Sequence, residues 1–542
     1  MDSAYDRALL EVGDNGFFQK KFDVIYNCVL PFFWIMAYLN IILVLVVIPH
    51  TCKVPNRPDN ISELAWKTKF IPRSADITGQ LKFDDCLIYV NPEVNNDTEY
   101  CNDYDYDSTW YESSIPSDND WVCNDELYVA NVFAYSRVGE IAGSLFFGWF
   151  GDVYGRRLTY IFSMALVVLG RIISILGSHN FILFVSGCIV TCLSSWFVVQ
   201  SALVISMEVS SAGRRAGVAT LRNASSSCGM CIMPLLYWWL RDWKLFMIVT
   251  TASQILFLIF SWRILESPRW LWIAGKPDEC IKQLKRIAVV NKTKLSDETV
   301  KDIKIMPSDG QIQSLGIFAL FSSFTLAMNT ILQLIISLCV TVAYTTLLMS
   351  SGEKSDGNPF LETAWQTIAE LPGFFVGAWL AQNIGRRRTM AGSFTMSTLI
   401  WIIVIFREYS TNGWIRCHWI GTTLSFTSRL LVTIIYYTIN LLNMELYPTC
   451  LRQSGMSLGN VLSSGGAAVA PYILYLGRRV DSRLPSVILT AVSFVGIITS
   501  LLLPETLNAK LPETLEDAKL FGRGYSSVPK QPTCEQSDII VE

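Results

Sequence analysis

The chain has 542 residues, of which 51% are hydrophobic and 16% charged, and its formal net charge is −3. Soluble domains carry about 25% charged residues, so the charge deficit points to a chain held largely out of water. Near-neutral charge, with no Lys/Arg-rich tract bearing interleaved aromatics, excludes a nucleic-acid surface. The absence of a metal-ligand cluster, a nucleophile triad and a phosphate-binding glycine loop argues against an enzyme.

Residues 1–23 are polar and of mixed charge, with no apolar core, so no cleavable signal peptide is expected and this segment reads as a cytoplasmic N-terminus. From there apolar residues fall in blocks of about 20, the length a helix needs to cross ~30 Å of hydrocarbon. The expected spans of the first half are 24–48, 127–150, 158–177, 181–206, 214–239 and 244–264. The segment 265–327 reads as a cytoplasmic linker. The second half follows with 328–349, 360–382, 389–406, 418–442, 455–476 and 486–503, then a polar tail over 505–542. The expected fold is therefore an all-α membrane protein of twelve transmembrane helices, in halves 24–264 and 328–504, with a large loop, 49–126, between helices 1 and 2.

Orientation follows from the loops. Ten Lys and Arg residues lie between Arg263 and Lys304, and short loops add Arg156-Arg157, Arg214-Arg215 and Arg386-Arg387-Arg388. The positive-inside rule makes these cytoplasmic, with both termini on the same side. Loop 49–126 is then extracellular. It is acidic, carries the sequons Asn60-Ile-Ser and Asn96-Asp-Thr, and holds four cysteines, Cys52, Cys86, Cys101 and Cys123. An even count in an oxidising compartment suggests two disulfides, with three possible pairings. The Asn291-Lys-Thr and Asn223-Ala-Ser sequons fall in the linker and in a span, so both are expected to stay bare.

One internal repeat stands out. GWFGDVYGRR (148–157) follows the second span, and GAWLAQNIGRRR (377–388) follows the eighth, six spans later. A parallel six-span repeat is the signature of the two halves of a major facilitator carrier. ESPRWL (266–271) follows the sixth span, ELYPTCLRQSG (445–455) the tenth, and PETL occurs at 504–507 and 512–515. With the cysteine-bearing loop, these strings closely resemble solute carrier family 22, the organic cation, organic anion and carnitine transporters, over about residues 15–520. The resemblance implies the major facilitator fold, a plasma-membrane location and alternating access. It also implies a gate network of Asp152, Arg156, Arg157, Glu208, Arg214, Glu266, Arg269, Arg387, Glu445 and Arg452 that closes the cytoplasmic side of the outward-facing state. The chain departs from the family at Val153, where an Arg is usual, and at Gln382, where the second repeat lacks an acid.

Charges inside a bilayer are expensive and usually meet a cavity or a partner. Arg137 and Glu140, Arg171, Glu208, Arg222, Glu362, Glu370 and Arg429 all fall in or at the ends of spans. Glu370, in AELPGFF (369–375), resembles a cavity Glu of the family's cation and carnitine carriers and is the main substrate-site candidate, able to attract an ammonium group or exchange a coupling proton. Tyr344 in VAYTTL matches a family Tyr. Trp196, Gln200, Tyr237, Trp365, Tyr436 and Tyr437 lie at plausible cavity depth for cation–π or polar contacts. In the family, the position nineteen residues beyond the Glu of ELYPT commonly holds Asp in cation carriers and Arg in anion and carnitine carriers. Here it is Ser464, so neither label transfers directly. The reading is a monomeric carrier of small organic cations or zwitterions in the lipid bilayer, without a cofactor, the coupling ion (sodium or proton) left open. Two alternatives stand beside it: an organic anion carrier using Arg137, Arg222 or Arg429, and a non-transporting receptor-like member.

Overall fold

The computed structural model describes residues 4–54, 62–75, 81–90, 97–210, 212–305, 317–350, 358–410, 417–447 and 451–507. The first span is composite: Phe17–Asp23, a π-helical stretch Val24–Val29 and Leu30–Val44. The second to sixth are Leu127–Tyr154, Arg156–Leu176, Phe181–Glu208, Ala212–Leu240 and Trp243–Phe260. The seventh is Phe324–Ser350, and the eighth comes in two pieces, Pro359–Ile368 and Glu370–Asn383. The ninth to twelfth are Arg386–Tyr409, His418–Leu446, Arg452–Arg479 and Leu484–Leu502.

Seven of these helices are long and apolar enough to cross a membrane by length and composition. The second, fifth, eighth, tenth and eleventh are not among them. Four of those five carry Arg137 and Glu140, Arg222, Glu370 or Arg429, and the fifth carries the Ser463–Gly466 run. Polar side chains in a span are tolerable only where they turn from lipid towards protein or a water-filled cavity. Four of the five also make contacts between the halves: the second packs on the eleventh, and the fifth on the eighth.

The break in the eighth span follows from its sequence. Pro372 has no N–H to donate to the carbonyl of Ile368, so the regular ladder fails there. The ladder resumes with the Gly373 N–H donating to the Ala369 carbonyl at 3.1 Å. Glu370 therefore sits at the start of the second piece, at mid-span.

The loop between the first two spans holds three antiparallel strand pairs: His50–Cys52 with Tyr104–Tyr106, Arg73–Ala75 with Leu81–Phe83, and Leu87–Tyr89 with Thr98–Tyr100. Of the three possible pairings, the structure has Cys52 bonded to Cys101 and Cys86 to Cys123. The loop rests on the helix ends below it. The Tyr237 hydroxyl donates to the Ser113 carbonyl at 3.1 Å, and the Trp243 indole N–H donates to Asp118 at 2.9 Å. Both predicted sequons, Asn60 and Asn96, lie outside the described residues.

On the opposite face the linker is folded rather than extended, with helices Pro268–Ile273, Pro277–Asn291 and Asp297–Ile305. In the middle helix the buried residues Cys280, Ile281, Leu284, Ile287 and Ala288 recur at helical spacing and form one stripe. That stripe packs with Ala8 and Val12 of an N-terminal helix, Ala4–Val12. Asn291 fastens the two. Its amide donates to the carbonyls of Val12 and Gly13, and its oxygen accepts the Phe18 N–H at 2.8 Å. The sequon expected to stay bare thus has its side chain committed.

Candidate functional site

At the bend of the eighth span, Glu370 Oε1 is the meeting point of two partners. The Tyr344 hydroxyl of the seventh span donates to it at 2.9 Å. The Arg429 guanidinium of the tenth span forms an ion pair with the same oxygen. Arg429 also donates to the Tyr344 carbonyl at 3.2 Å and lies over the Tyr344 ring, 4.2 Å from its centroid. Tyr436 stacks on Tyr344 at 5.6 Å between centroids. Glu370 and Arg429 are 2% and 1% exposed, so this pair is shut off from bulk water. Glu370, the residue expected to attract an ammonium group or exchange a coupling proton, is here a carboxylate already paired within the protein. The reason is physical: an isolated ion at mid-membrane costs at least about 2.5–3.5 kcal/mol, and a partner offsets that.

The first half builds a second cluster at similar depth. Arg137 donates to Glu140 at 2.6 Å and to the Tyr38 hydroxyl at 2.7 Å. Tyr38 stacks on Trp34, and Trp34 meets Trp196 edge-on at 5.7 Å. Arg222 lies over the Trp196 ring at 5.7 Å and donates to Gln200 Oε1 at 3.2 Å. Arg171 is 1% exposed and donates to the Ala37 carbonyl at 2.6 Å, so it holds the first span against the third rather than lining a cavity.

The linker-side ends of the helices carry a duplicated clamp. Glu266 accepts the backbone N–H groups of Arg156 at 2.9 Å and Arg157 at 3.2 Å. Glu505 accepts those of Arg386 at 2.8 Å and Arg387 at 3.1 Å. In both repeats the preceding glycine has a positive φ, 100° at Gly155 and 105° at Gly385, where an L side chain is strained. Arg156 pairs with Asp152 at 3.0 Å and approaches Glu208 at 3.8 Å, and Arg386 pairs with Glu445 at 2.7 Å. Burial pushes the Glu266 carboxyl above its ordinary value, and the N–H groups donating to it pull it back. Each clamp closes within its own half. The sequence pointed to Glu266 but missed Glu505, which stands in the first PETL string.

The remaining candidates separate clearly. Arg214 pairs with Asp23 at 2.5 Å rather than with Glu208. Arg269 lies over the Tyr5 ring at 5.9 Å, and the Arg157 side chain donates to the Trp262 carbonyl at 3.0 Å. The side chain of Arg452 is outside the described residues. Tyr237 is fully buried at the loop-side end of the fifth span among Tyr111, Phe246 and Phe360, so it packs the loop and does not face the central cluster. Trp365 is half exposed against Phe426. Tyr437 lies against Phe374 and the backbone face of Gly377, one helix position away from Tyr436. Ser464 is buried in the eleventh span. Trp34, Tyr38 and Met230, whose sulfur lies 3.9 Å from the Tyr344 hydroxyl, join the cluster without having been singled out in the sequence. Among the described residues one group has metal-ligand spacing, His50 with Cys86 and Cys123, but those two sulfurs are bonded to each other and cannot serve as thiolate ligands.

The side-chain bonds found between the halves lie at mid-membrane or on the loop side. Arg478 and Arg479 pair with Glu126 at 3.2 and 2.9 Å, and the Tyr472 hydroxyl donates to Asn131 at 2.8 Å. The loop-side piece of the eighth span packs along the fifth, whereas its linker-side piece meets the fifth only sparsely. Among the described residues the halves are thus joined by side-chain bonds on the loop side and by none on the linker side.

Residues 86–517 match the model of the family described as "Sugar (and other) transporter". The chain is 26% identical to an organic cation transporter protein of Drosophila melanogaster, over 96% of this chain and 95% of that one. It is 25% identical to solute carrier family 22 member 7 of Mus musculus, over 96% and 98%. In solved structures it is similar to the inward-open xylose transporter XylE from E. coli, with TM-score 0.56 and 13% identity over 76% of this chain and 93% of that one. XylE bound to 6-bromo-6-deoxy-D-glucose gives TM-score 0.53 at 16% identity, over 73% and 89%. These are transporters and not enzymes, and the fold is that of the major facilitator superfamily. The chain belongs to the sugar (and other) transporter family, and its full-length likeness to curated members puts it with solute carrier family 22.

Proposed function

We propose that the chain is a plasma-membrane secondary carrier that moves small organic zwitterions or cations by alternating access, with both termini cytoplasmic. The observation that carries this reading is Glu370, a carboxylate at a proline-made bend in mid-span, held by Arg429 and Tyr344. An arriving ammonium competes with the Arg429 guanidinium for that carboxylate, so solute binding and release of an internal ion pair become one event. The relatives named organic cation transporter protein and solute carrier family 22 member support an organic ion as the cargo. The basic linker and the disulfide-bearing loop support the orientation.

Alternating access is supported by where the contacts lie. Joined at Glu126 with Arg478 and Arg479, and by no side-chain bond among the described residues at the linker side, the halves fit an inward-facing state. In that state the gate arginines fall back on Glu208, Glu266, Glu445 and Glu505 of their own half. Closing the inside requires some of these to exchange partners across the halves. The test is Glu370→Gln, which keeps the shape and hydrogen-bonding capacity but removes the charge. We expect uptake of amines and zwitterions to fall by about tenfold or more with surface expression retained. Unchanged uptake kinetics in that variant would remove Glu370 from the mechanism.

A further inference from the structure

The central region holds more cations than anions. Arg137 is matched by Glu140 at 2.6 Å, and Arg429 by Glu370. Arg171 is sealed against the Ala37 carbonyl. Arg222 is different. Among the described residues no carboxylate lies within ion-pair distance of it. Its one side-chain hydrogen bond is to a neutral amide, Gln200 Oε1 at 3.2 Å, and it is only half-buried. A guanidinium has five N–H donors in a planar fork, so most of its recognition capacity is free. The Trp196 ring, 5.7 Å from the guanidinium, restricts its orientation. In the second half, the Tyr436 ring stacks on Tyr344, whose hydroxyl donates to Glu370.

We propose that Arg222 is the carboxylate-recognising group of this carrier, so that the transported solute bears a carboxylate. A fork of parallel N–H donors matches two carboxylate oxygens, which an ammonium cannot do. The position adds a consequence for the cycle. Arg222 belongs to the fifth span and Glu370 to the eighth, and these two spans pack against each other across the halves. A zwitterion with its carboxylate on Arg222 and its ammonium at Glu370 bridges the two halves, whereas a simple cation engages one half only. The cargo class narrows accordingly from organic ions in general to carboxylates, with zwitterions satisfying both ends.

This inference rests on the carrier reading but is tested apart from it, by measuring binding and uptake separately on the full chain in lipid nanodiscs and proteoliposomes. The probes are 4-trimethylammoniobutyrate, hexanoate and phenylacetate, each beside its methyl ester. Binding is followed by tryptophan fluorescence, since Trp196 lies under the guanidinium. We expect at least one acid to bind wild type about tenfold or more tighter than its ester, the preference to vanish in Arg222→Gln, and Arg222→Lys to retain part of it. The unliganded melting temperature of Arg222→Gln reports folding. Esters binding as tightly as acids, no acid binding wild type, or an acid preference surviving in Arg222→Gln would each overturn the assignment. Arg222-dependent acid binding with no uptake of any probe supports the site and refutes the carrier reading. Uptake with an acid preference indifferent to Arg222 does the reverse.

Discussion

The ion pair between Glu370 and Arg429 sets a sharp energetic expectation. Both side chains are essentially sealed, at 3% and 2% exposed. Glu370→Leu strands the Arg429 guanidinium with only the Tyr344 carbonyl, 3.2 Å away, and the Tyr344 ring. Arg429→Met strands the carboxylate with only the Tyr344 hydroxyl, 2.9 Å away. Leaving one member of a buried pair uncompensated costs about 3–5 kcal/mol, while replacing both by apolar groups of similar size is often neutral or stabilising. We therefore expect each single variant to lose about 3 kcal/mol or more and the double variant to return to within about 1 kcal/mol of wild type. The assay is reversible unfolding in mixed micelles, titrated with a denaturing detergent and read by tryptophan fluorescence. A double variant whose loss equals the sum of the two singles would refute the reasoning, because two independent side chains add. Transport is expected to stay lost in the double variant even as stability returns, since the charge that takes the ammonium is gone.

Two further outcomes follow from the linker face. Gly155→Ala and Gly385→Ala each force a side chain into a backbone with φ near +100° and bring a Cβ within 2.5 Å of the Glu266 or Glu505 carboxylate. Each is expected to cost about 1–3 kcal/mol for the backbone alone, and both should lower the melting temperature of the purified carrier alike. A neutral effect at either would show that the clamp there is not formed. The Glu11 carboxyl is held below its ordinary value by the Thr299 hydroxyl first and then the Ser296 N–H. A carboxyl with a depressed folded-state value contributes stability that is fully present above the ordinary value of 4.5 and lost as pH falls through the depressed one. Acidification should thus loosen the helix Ala4–Val12 from the linker, seen as faster amide exchange there. In Glu11→Gln the exchange should lose this pH response, and persistence of the response would assign it to another group.

What the chain disclosed by itself divides along physical lines. Spans announce themselves by length, and the five that length and hydropathy together miss, the eighth because it is broken in two, were still recoverable from loop charge and the six-span repeat. The repeat also contained the second clamp. Glu505 stands before Thr506 after the twelfth span as Glu266 stands before Ser267 after the sixth, and in both cases the following backbone N–H closes on the carboxylate, at 3.0 and 2.9 Å. Comparing the two span ends, rather than treating PETL as a tail motif, would have found it. Pairing across helices was not legible. Glu370 and Arg429 are 59 residues apart, and their meeting depends on how the eighth and tenth spans are rotated. The same rotation separates Tyr436 from Tyr437. Adjacent residues on a helix point about 100° apart, so only one of them can stack on Tyr344 while the other turns to Phe374. Tyr237 fails for a different reason. It lies three positions before the end of the fifth span at Leu240, and depth along the helix, readable from the sequence, already set it beside the loop rather than at the bend of the eighth. Depth is a one-dimensional property that spacing reveals. Direction around the helix, which decides whether Arg222 faces a cavity or a carboxylate, is fixed only when twelve helices pack together.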